Sequence, residues 1–450
     1  LPKVLFIENR GKTRFWAEVA RAFAARGNEI AWMVQNPAFQ PSTPSGAVNL
    51  LPFPASGQPE DRLLGDNWVS EHYPDLIGDR GRRYFHGNCD HYEHYDAVIG
   101  EMLDHLQPDA VIGEPTLFHE LLTIGQCRKR RIPYLHPTAS RYPGGRFTVF
   151  SGDTQNSLGR SGDRIAPAEA RDLAERIASS RVLPAYMTRK RGMAQARTKL
   201  AILKAHATAW TSHLRGERYN TPSLRRKREL DRRLQANLAR WKSLQKLPAA
   251  PGRTLLYPLQ MQPEANLDVW GRDHLDQVAT IQTMLAASRD DVTIAVKANP
   301  KSKYEVSDGL LKLAELEPRV CLLPLDLPMP SAQAVSIGAL TVTGTVGFEA
   351  VFGKGRTLSL CHPVLEAEFP SFHARSVTDA VDRLLYDPKA GQGGLESGTR
   401  LLQTFMDQSF PGLINEPLYD ARCIEPANVK RVADVLEALI QRPGEMVSAR

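Results

Sequence analysis

Between Thr254 and Lys354 one pattern repeats. A short apolar run of β type gives way to a polar turn containing Gly or Pro, and then to a helical spacing of apolar residues. The runs are Leu255–Pro258, Val292–Lys297, Val320–Leu323 and Ala339–Val342. The helical patterns that follow them are Asp273–Ser288, Ser307–Glu315, Ser331–Ile337 and a helix opening at Gly347. Strands alternating with helices in this way predict a parallel sheet covered by helices, an α/β fold. In such sheets ligands sit outside the carboxyl ends of the strands. The residues just after each run are therefore the first candidates for function.

The N-terminal part opens with the same grammar. Val4–Glu8 reads as a strand, Asn9–Arg14 as a polar turn, Phe15–Arg26 as an amphipathic helix ended by Gly27-Asn28, and Glu29–Val34 as a second strand. The turn has a single glycine, Gly11, so it is neither a dinucleotide fingerprint nor a P-loop. Residues 37–95 read as irregular. His86, His91 and His94 with Glu93 lie there without a second ligand cluster, and no metal site is expected. Asp96–Leu106 and Leu117–Arg128 read as helices; Pro108–Glu114 and Ile132–His136 read as strands. The loop Ser140–Phe147 places Arg141 and Arg146 around a Pro-Gly-Gly turn, a pattern suited to holding an anion or to a structural arginine pair.

At 450 residues the chain exceeds one ordinary core, so several domains are expected. Its charge is uneven. Arg181–Ala250 holds 18 Lys/Arg against three Asp/Glu, which leaves the remainder at −8 within a whole-chain +7. Residues 166–248 are helical in pattern, with long basic helices expected at Ala194–Trp210 and Ser223–Leu247. By charge alone this segment suits nucleic acid, an anionic membrane surface or an acidic polymer, or is simply a solvated face. Trp210, Tyr219 and Trp241 are spaced for packing rather than as a platform for nucleic-acid bases, so no nucleic-acid partner is expected. The five cysteines are scattered at no metal or redox spacing, which fits free thiols in a reducing compartment. The first residues read as a strand rather than a signal peptide, and no run approaches the ~20 apolar residues of a membrane span. A cytoplasmic, possibly membrane-peripheral location is expected. The expected domains are 1–165 (α/β, acceptor side), 166–250 (basic helical segment), 251–400 (α/β, nucleotide-sugar side) and 401–450 (C-terminal helices packing back across the domains). Two Rossmann-type halves around a linker are the build of many nucleotide-sugar glycosyltransferases.

The residues at the strand ends have matching chemistry. Gln260 and Glu264 follow the first run of the C-terminal half, and a carboxylate set there can act as nucleophile, general base or plain turn residue. Lys297, at the end of the next run, can meet a phosphate as a point charge. Thr343, Gly344 and Thr345 lead into a helix, where small residues let backbone amides approach an anion. Glu349, read as lying in the first helical turn, can accept from ribose hydroxyls or cap the helix.

Three stretches, Pro258–Glu264, Val296–Pro300 and Thr343–Ala350, in this order and spacing, together resemble the capsule polysaccharide biosynthesis family, which includes bacterial retaining β-Kdo transferases. The resemblance covers mainly residues 254–365 and extends weakly to Glu114 and to Ser140–Phe147. It implies a GT-B-like fold with the nucleotide on the C-terminal domain, a CMP-activated 3-deoxy ulosonic acid as donor, and an acidic nucleophile in the slot of Glu264. This slot holds Asp in the β-Kdo enzymes. The family's later His-Pro falls on Asn299-Pro300, so phosphate contact falls to Lys297 and the Gly344-Thr345 amides. His362-Pro363 also ends a strand.

The sequence therefore predicts a metal-independent, cofactor-free retaining glycosyltransferase of surface polysaccharide synthesis. Glu264, Gln260 and Lys297 are its expected catalytic residues. Asn299, Thr343, Gly344, Thr345 and Glu349 are expected on the nucleotide. Glu114, Arg141 and Arg146 are expected on a glycan or lipid-linked glycan acceptor. A nucleotide-sugar epimerase of the same build and a non-catalytic module for anionic polymers are the alternatives.

Overall fold

A computed structural model describes residues 1–42, 45–54, 66–182, 203, 207–208 and 210–441. The chain divides into two compact units: Leu1–Arg164 with Leu183–Leu224 and Thr404–Arg450, and Ile165–Val182 with Arg225–Gln403.

The first unit begins with β1 (Lys3–Ile7), α1 (Thr13–Ala24), β2 (Glu29–Val34) and β3 (Ala47–Leu50). It continues with α2 (Asp66–His72), α3 (His91–Leu106), β4 (Ala110–Ile112), α4 (Phe118–Arg130), β5 (Tyr134–Ala139) and β6 (Arg146–Ser151). β1 pairs in parallel with both β2 and β4: Leu5 lies opposite Ala31 on one side and Val111 on the other. Each of these strands is almost wholly buried, as expected of a parallel sheet covered on both faces. α1 carries Phe15, Val19 and Phe23 into that core at helical spacing.

The region read as irregular contains β3, which pairs in parallel with β2. It was hidden because an edge strand of four residues, Ala-Val-Asn-Leu, half exposed, offers no apolar run. β6 was also unread. It folds back antiparallel on β5 through the loop that carries Arg141 and Arg146.

The second unit comprises α5 (Pro167–Ala178), α6 (Leu224–Leu244), β7 (Thr254–Pro258), α7 (Ala265–Asp268), α8 (Gln277–Ala287), β8 (Thr293–Lys297), α9 (Asp308–Leu316) and β9 (Val320–Leu322). It ends with α10 (Met329–Ala334), β10 (Gly338–Thr341), α11 (Thr345–Val351), β11 (Thr357–Ser359), α12 (Pro363–Glu368), α13 (Val377–Tyr386) and α14 (Leu395–Asp407). Its five strands are all parallel, in the order β11-β10-β7-β8-β9. The basic helix α6 is anchored rather than free. Trp241 is fully buried in this unit's core and donates its indole N–H to the Leu323 carbonyl at 2.9 Å. Arg233 and Arg240 pair with Asp308 and Glu315 of α9. The expected helix at Ala194–Trp210 lies largely outside the described residues.

After α14 the chain re-enters the first unit. β12 (Phe410–Pro411) joins β6, completing the order β12-β6-β5-β4-β1-β2-β3. α15 (Pro426–Gln441) then packs Val432, Ala433, Leu436 and Ile440 into the core under α1. Both units are thus Rossmann-type α/β layers. Among the described residues no helix is long and apolar enough to cross a membrane.

Candidate functional site

Strand order decides which loops can meet. In the second unit the first strand, β7, lies between β8 and β10. The chain winds outward in both directions from it, so the crevice between the carboxyl ends of β7 and β10 is the topological switch point where an open α/β sheet receives a ligand. The loops there are Leu259–Glu264, after β7, and Val342–Gly344, after β10.

Side chains stitch these two loops together. The buried Gln260 turns its amide oxygen to the N–H groups of Val342 and Thr343, both at 2.8 Å, and its amide nitrogen to Thr343 Oγ1 at 2.7 Å. Thr343 Oγ1 donates in turn to the Asn266 carbonyl at 2.8 Å. Gln277, the first residue of α8, gives its oxygen to the Gln260 N–H at 2.8 Å. Its nitrogen goes to the Gln260 carbonyl at 2.8 Å and to Gln262 Oε1 at 3.0 Å. These links between the two loops are made by neutral partners.

Glu264 is the N-cap residue of the short α7. Its side chain is exposed, and its carboxylate makes no hydrogen bond or ion pair among the described residues. Its backbone is held on both sides. The N–H donates to Asp268 Oδ2 at 2.8 Å, and the carbonyl accepts from Asp268 N–H at 2.9 Å. The result is an exposed carboxylate on a hydrogen-bonded turn at the switch point.

Opposite it, Gly344 caps α11. Its N–H donates to Thr341 Oγ1 at 3.1 Å, and a Cβ at this position would lie 2.4 Å from that hydroxyl, so only glycine fits. The amide expected to face a phosphate is therefore already engaged by Thr341. Thr345 and Val346 lie beyond it, both part-exposed. His362, fully buried, brings Nε2 within 3.3 Å of the Gly344 carbonyl, and its ring lies against Phe348 at 4.2 Å between centroids. The His-Pro pair after β11 thus reaches this loop, while Asn299-Pro300 does not.

Glu349 is the fifth residue of α11, not in its first turn, because the helix starts at Thr345. It is no cap. Burial raises its pKa, with the Lys354 charge opposing.

Lys297 and Asn299 follow β8, on the side of β7 away from β10. Lys297 is almost completely buried, and its ammonium donates to the Ala298 and Leu325 carbonyls, both at 3.0 Å. Burial lowers its pKa, with Asp326 opposing. Asn299 accepts from the Lys301 N–H at 2.8 Å and shapes its own turn. Lys297 therefore lies beside the end of β7, opposite Pro258, on the side away from β10.

In the first unit Glu114 follows β4 by two residues and pairs with Lys12 at 2.5 Å. Arg146 is a structural residue. It binds Asp163 at 2.5 Å, Ser409 Oγ at 2.8 Å and the carbonyls of Met406 and Ser409, with its side chain about 10% exposed. Arg141 lies in the same loop, part-exposed. The three histidines also have structural partners. His91 stacks on Tyr219 at 4.3 Å, His86 Nε2 lies 3.2 Å from the Tyr219 carbonyl, and His94 Nε2 lies 2.9 Å from the Pro52 carbonyl. Among the described residues no group of three or more His, Cys, Asp or Glu is arranged to hold a metal ion.

The sequence reading passed over Gln277, Asp268, Thr341 and Glu305. Asp268 offered a signal, since a carboxylate four residues after Glu264 can reach back to that residue's N–H in a helical turn. The others are single polar residues whose partners lie far along the chain.

No protein-family model matches the chain, and no curated protein matches it. Solved structures with a similar course include the UDP-GlcNAc 2-epimerase from Neisseria meningitidis bound to UDP-GlcNAc, at 14% identity and TM-score 0.27, covering 89% of this chain and 98% of that one. A β-Kdo 2,4-transferase, KpsC, from Thermosulfurimonas dismutans is 15% identical with TM-score 0.33, covering 74% of this chain and 87% of that one. The glycosyltransferase VinC, in complex with dTDP, is 12% identical with TM-score 0.24, covering 98% and 100%. Similarity at this level assigns no role to any residue of the present chain.

Proposed function

We propose that this protein is a glycosyltransferase of the GT-B type that moves a sugar from a nucleotide-activated donor, of the CMP-activated ulosonic acid class, to a surface glycan with net retention. Glu264 attacks the anomeric carbon. A bond forms between that carbon and a Glu264 oxygen while the bond to the donor phosphate breaks, and the electron pair leaves with the nucleotide. The acceptor hydroxyl then displaces Glu264, losing its proton to a base. Retaining transfer through a carboxylate ester has its counterpart in glycoside hydrolysis. The departing phosphate falls to the Thr343–Thr345 turn with His362 behind it. Lys297 serves as a buried support of the neighbouring loops. Glu114 contributes to acceptor binding.

The observation that supports this reading is the placement of Glu264. A carboxylate with no partner among the described residues stands on a turn with a fixed backbone, at the switch point of an all-parallel sheet. The test is Glu264→Gln. Transfer to a glycan acceptor should fall on the order of 10³-fold or more, as for loss of a covalent nucleophile. The variant should still show the wild-type rise in melting temperature with nucleotide, since binding to the folded state alone raises apparent stability. Full transfer by Glu264→Gln excludes the mechanism. A donor converted to a free or epimerised sugar without acceptor, seen by mass spectrometry, would instead favour an epimerase of the same build.

A further inference from the structure

The turn that carries Glu264 is held by two carboxylates that are themselves buried. Asp268 is 6% exposed and Glu305 is 5% exposed. Asp268 uses both oxygens: Oδ2 accepts the Glu264 N–H at 2.8 Å, and Oδ1 accepts the Gln262 side-chain nitrogen at 3.1 Å. Glu305 comes from the loop after β8 and reaches the turn from the other side. Its Oε2 accepts the Gln262 N–H at 3.1 Å and the Lys303 N–H at 3.0 Å, while its Oε1 has no hydrogen-bond partner among the described residues. The Gln262 carbonyl accepts the Tyr304 N–H at 3.2 Å, so the two loops are zipped at Gln262. With Gln277 on its side chain, every polar group of Gln262 is engaged.

A turn that needs only to close can do so with water and neutral side chains. Burying two carboxylates under one turn is costly unless each is tightly bound, and leaving one carboxylate oxygen without a partner adds to that cost. Such an arrangement is what holds a reacting group within a fraction of an ångström when its own side chain is left free. Burial also raises the Glu305 pKa, against the pull of its backbone hydrogen bonds.

We propose that Asp268 and Glu305 are positioning residues for Glu264. They act through the Gln262 and Glu264 backbone and touch no substrate. The role rests on the function proposed above, while the clamp itself does not, so the experiment has two arms.

The first arm is amide hydrogen exchange of peptides spanning 259–268 and 302–306 in the full-length chain. Glu305→Ala and Asp268→Asn should speed exchange in these peptides about tenfold or more, with the strands of the same unit unchanged. Glu305→Gln, which keeps an acceptor for both N–H groups, should restore the wild-type rate. The second arm is transfer kinetics. Glu305→Ala and Asp268→Asn should lower kcat about 100-fold, the effect of a misplacement near 1 Å, with KM for the donor changed little. Glu305→Gln should recover most of the rate. Unchanged exchange in both variants, or equally faster exchange across the whole unit, overturns the clamp. Local exchange that rises while kcat holds overturns the positioning role. A wild-type protein that transfers no sugar counts against the proposed function, and the exchange arm still decides the clamp.

Discussion

At the carboxyl end of β1 the polar groups are charged and turned inward. At the carboxyl end of β7 neutral amides join the two loops, the buried Asp268 and Glu305 hold the turn, and one carboxylate, Glu264, is turned out. Glu8 and Glu120 are fully buried in the first unit. Glu8 accepts the Arg10 and Asn36 N–H groups at 2.8 and 3.1 Å. Glu120 accepts four hydrogen bonds, from Asn9 Nδ2 at 2.8 Å, Thr116 N–H and Oγ1 at 2.9 Å each, and Leu117 N–H at 2.8 Å. The segment around Asn220 covers the same edge: the Asn220 carbonyl accepts Arg10 Nη2 at 2.7 Å, and its amide reaches Gln35 Oε1 at 3.3 Å. In the second unit Gln260, Gln262 and Gln277 do the joining. Both sheets have the same switch-point topology, so topology alone does not distinguish the two edges. What differs is that the second edge, besides the carboxylates that hold it, Asp268 and Glu305, carries an exposed carboxylate, Glu264, with no partner among the described residues.

The widest separation between the two edges is predicted from opposite substitutions. Glu264→Gln should remove transfer, as above, and change unfolding free energy by less than about 0.5 kcal/mol, since the side chain is exposed. Glu120→Ala should do the reverse in kind. It strands the buried donor of Leu117 and the part-buried donors of Asn9 and Thr116, at about 1–3 kcal/mol each when left unpaired, so a loss of roughly 3 kcal/mol is expected in urea unfolding. Equal stability losses at Glu264 and Glu120 would erase the contrast.

pH sharpens it. Burial pushes Glu8 and Glu120 up to about 7, with the neighbouring Glu114 charge adding to the rise at Glu120. A carboxyl that holds its proton more tightly when folded stabilises the fold below its ordinary pKa, and that stability is lost as pH climbs toward 7. His119 and His136 are pushed down to about 3 by burial, and their contribution runs the other way: intact above about 6.5, lost as pH falls. Between about 4.5 and 6.5 the two oppose each other. Glu120→Gln removes one of the falling contributions. Its stability relative to wild type should therefore rise between pH 4.5 and 7, on the order of 3 kcal/mol, in urea titrations at fixed ionic strength. A flat difference would mean that Glu120 is ionised throughout.

The smallest effect is expected at Gln277. Gln277→Ala removes a neutral link from Gln260 and Gln262, at about 1–2 kcal/mol in unfolding, and should raise KM for the donor more than it lowers kcat. A pure kcat effect would move Gln277 into the group that positions Glu264.

How much of this could be read from the residues follows from the range of the forces involved. Strand-and-helix alternation is local, and it marked β7 through β11 because a buried parallel strand is apolar along its whole length. The four-residue edge strand β3 and the returning β6 carry no such signal. Glu264, Gln260 and Thr343–Thr345 stood out because short polar turns after apolar strands are local patterns too. Lys297 looked equivalent to them, and the structure puts it on β8, across β7 from β10, with its ammonium on two backbone carbonyls. No local pattern carries that order, which follows from the handedness of each crossover and the packing of distant helices. The same limit hid Glu305, which lies 43 residues from the Gln262 N–H that it binds. The amino-acid order by itself determined the layers, the apolar cores and the turns able to carry chemistry. Which turns face one another, and which buried carboxylates hold them still, was decided only when strands far apart in the chain were brought side by side.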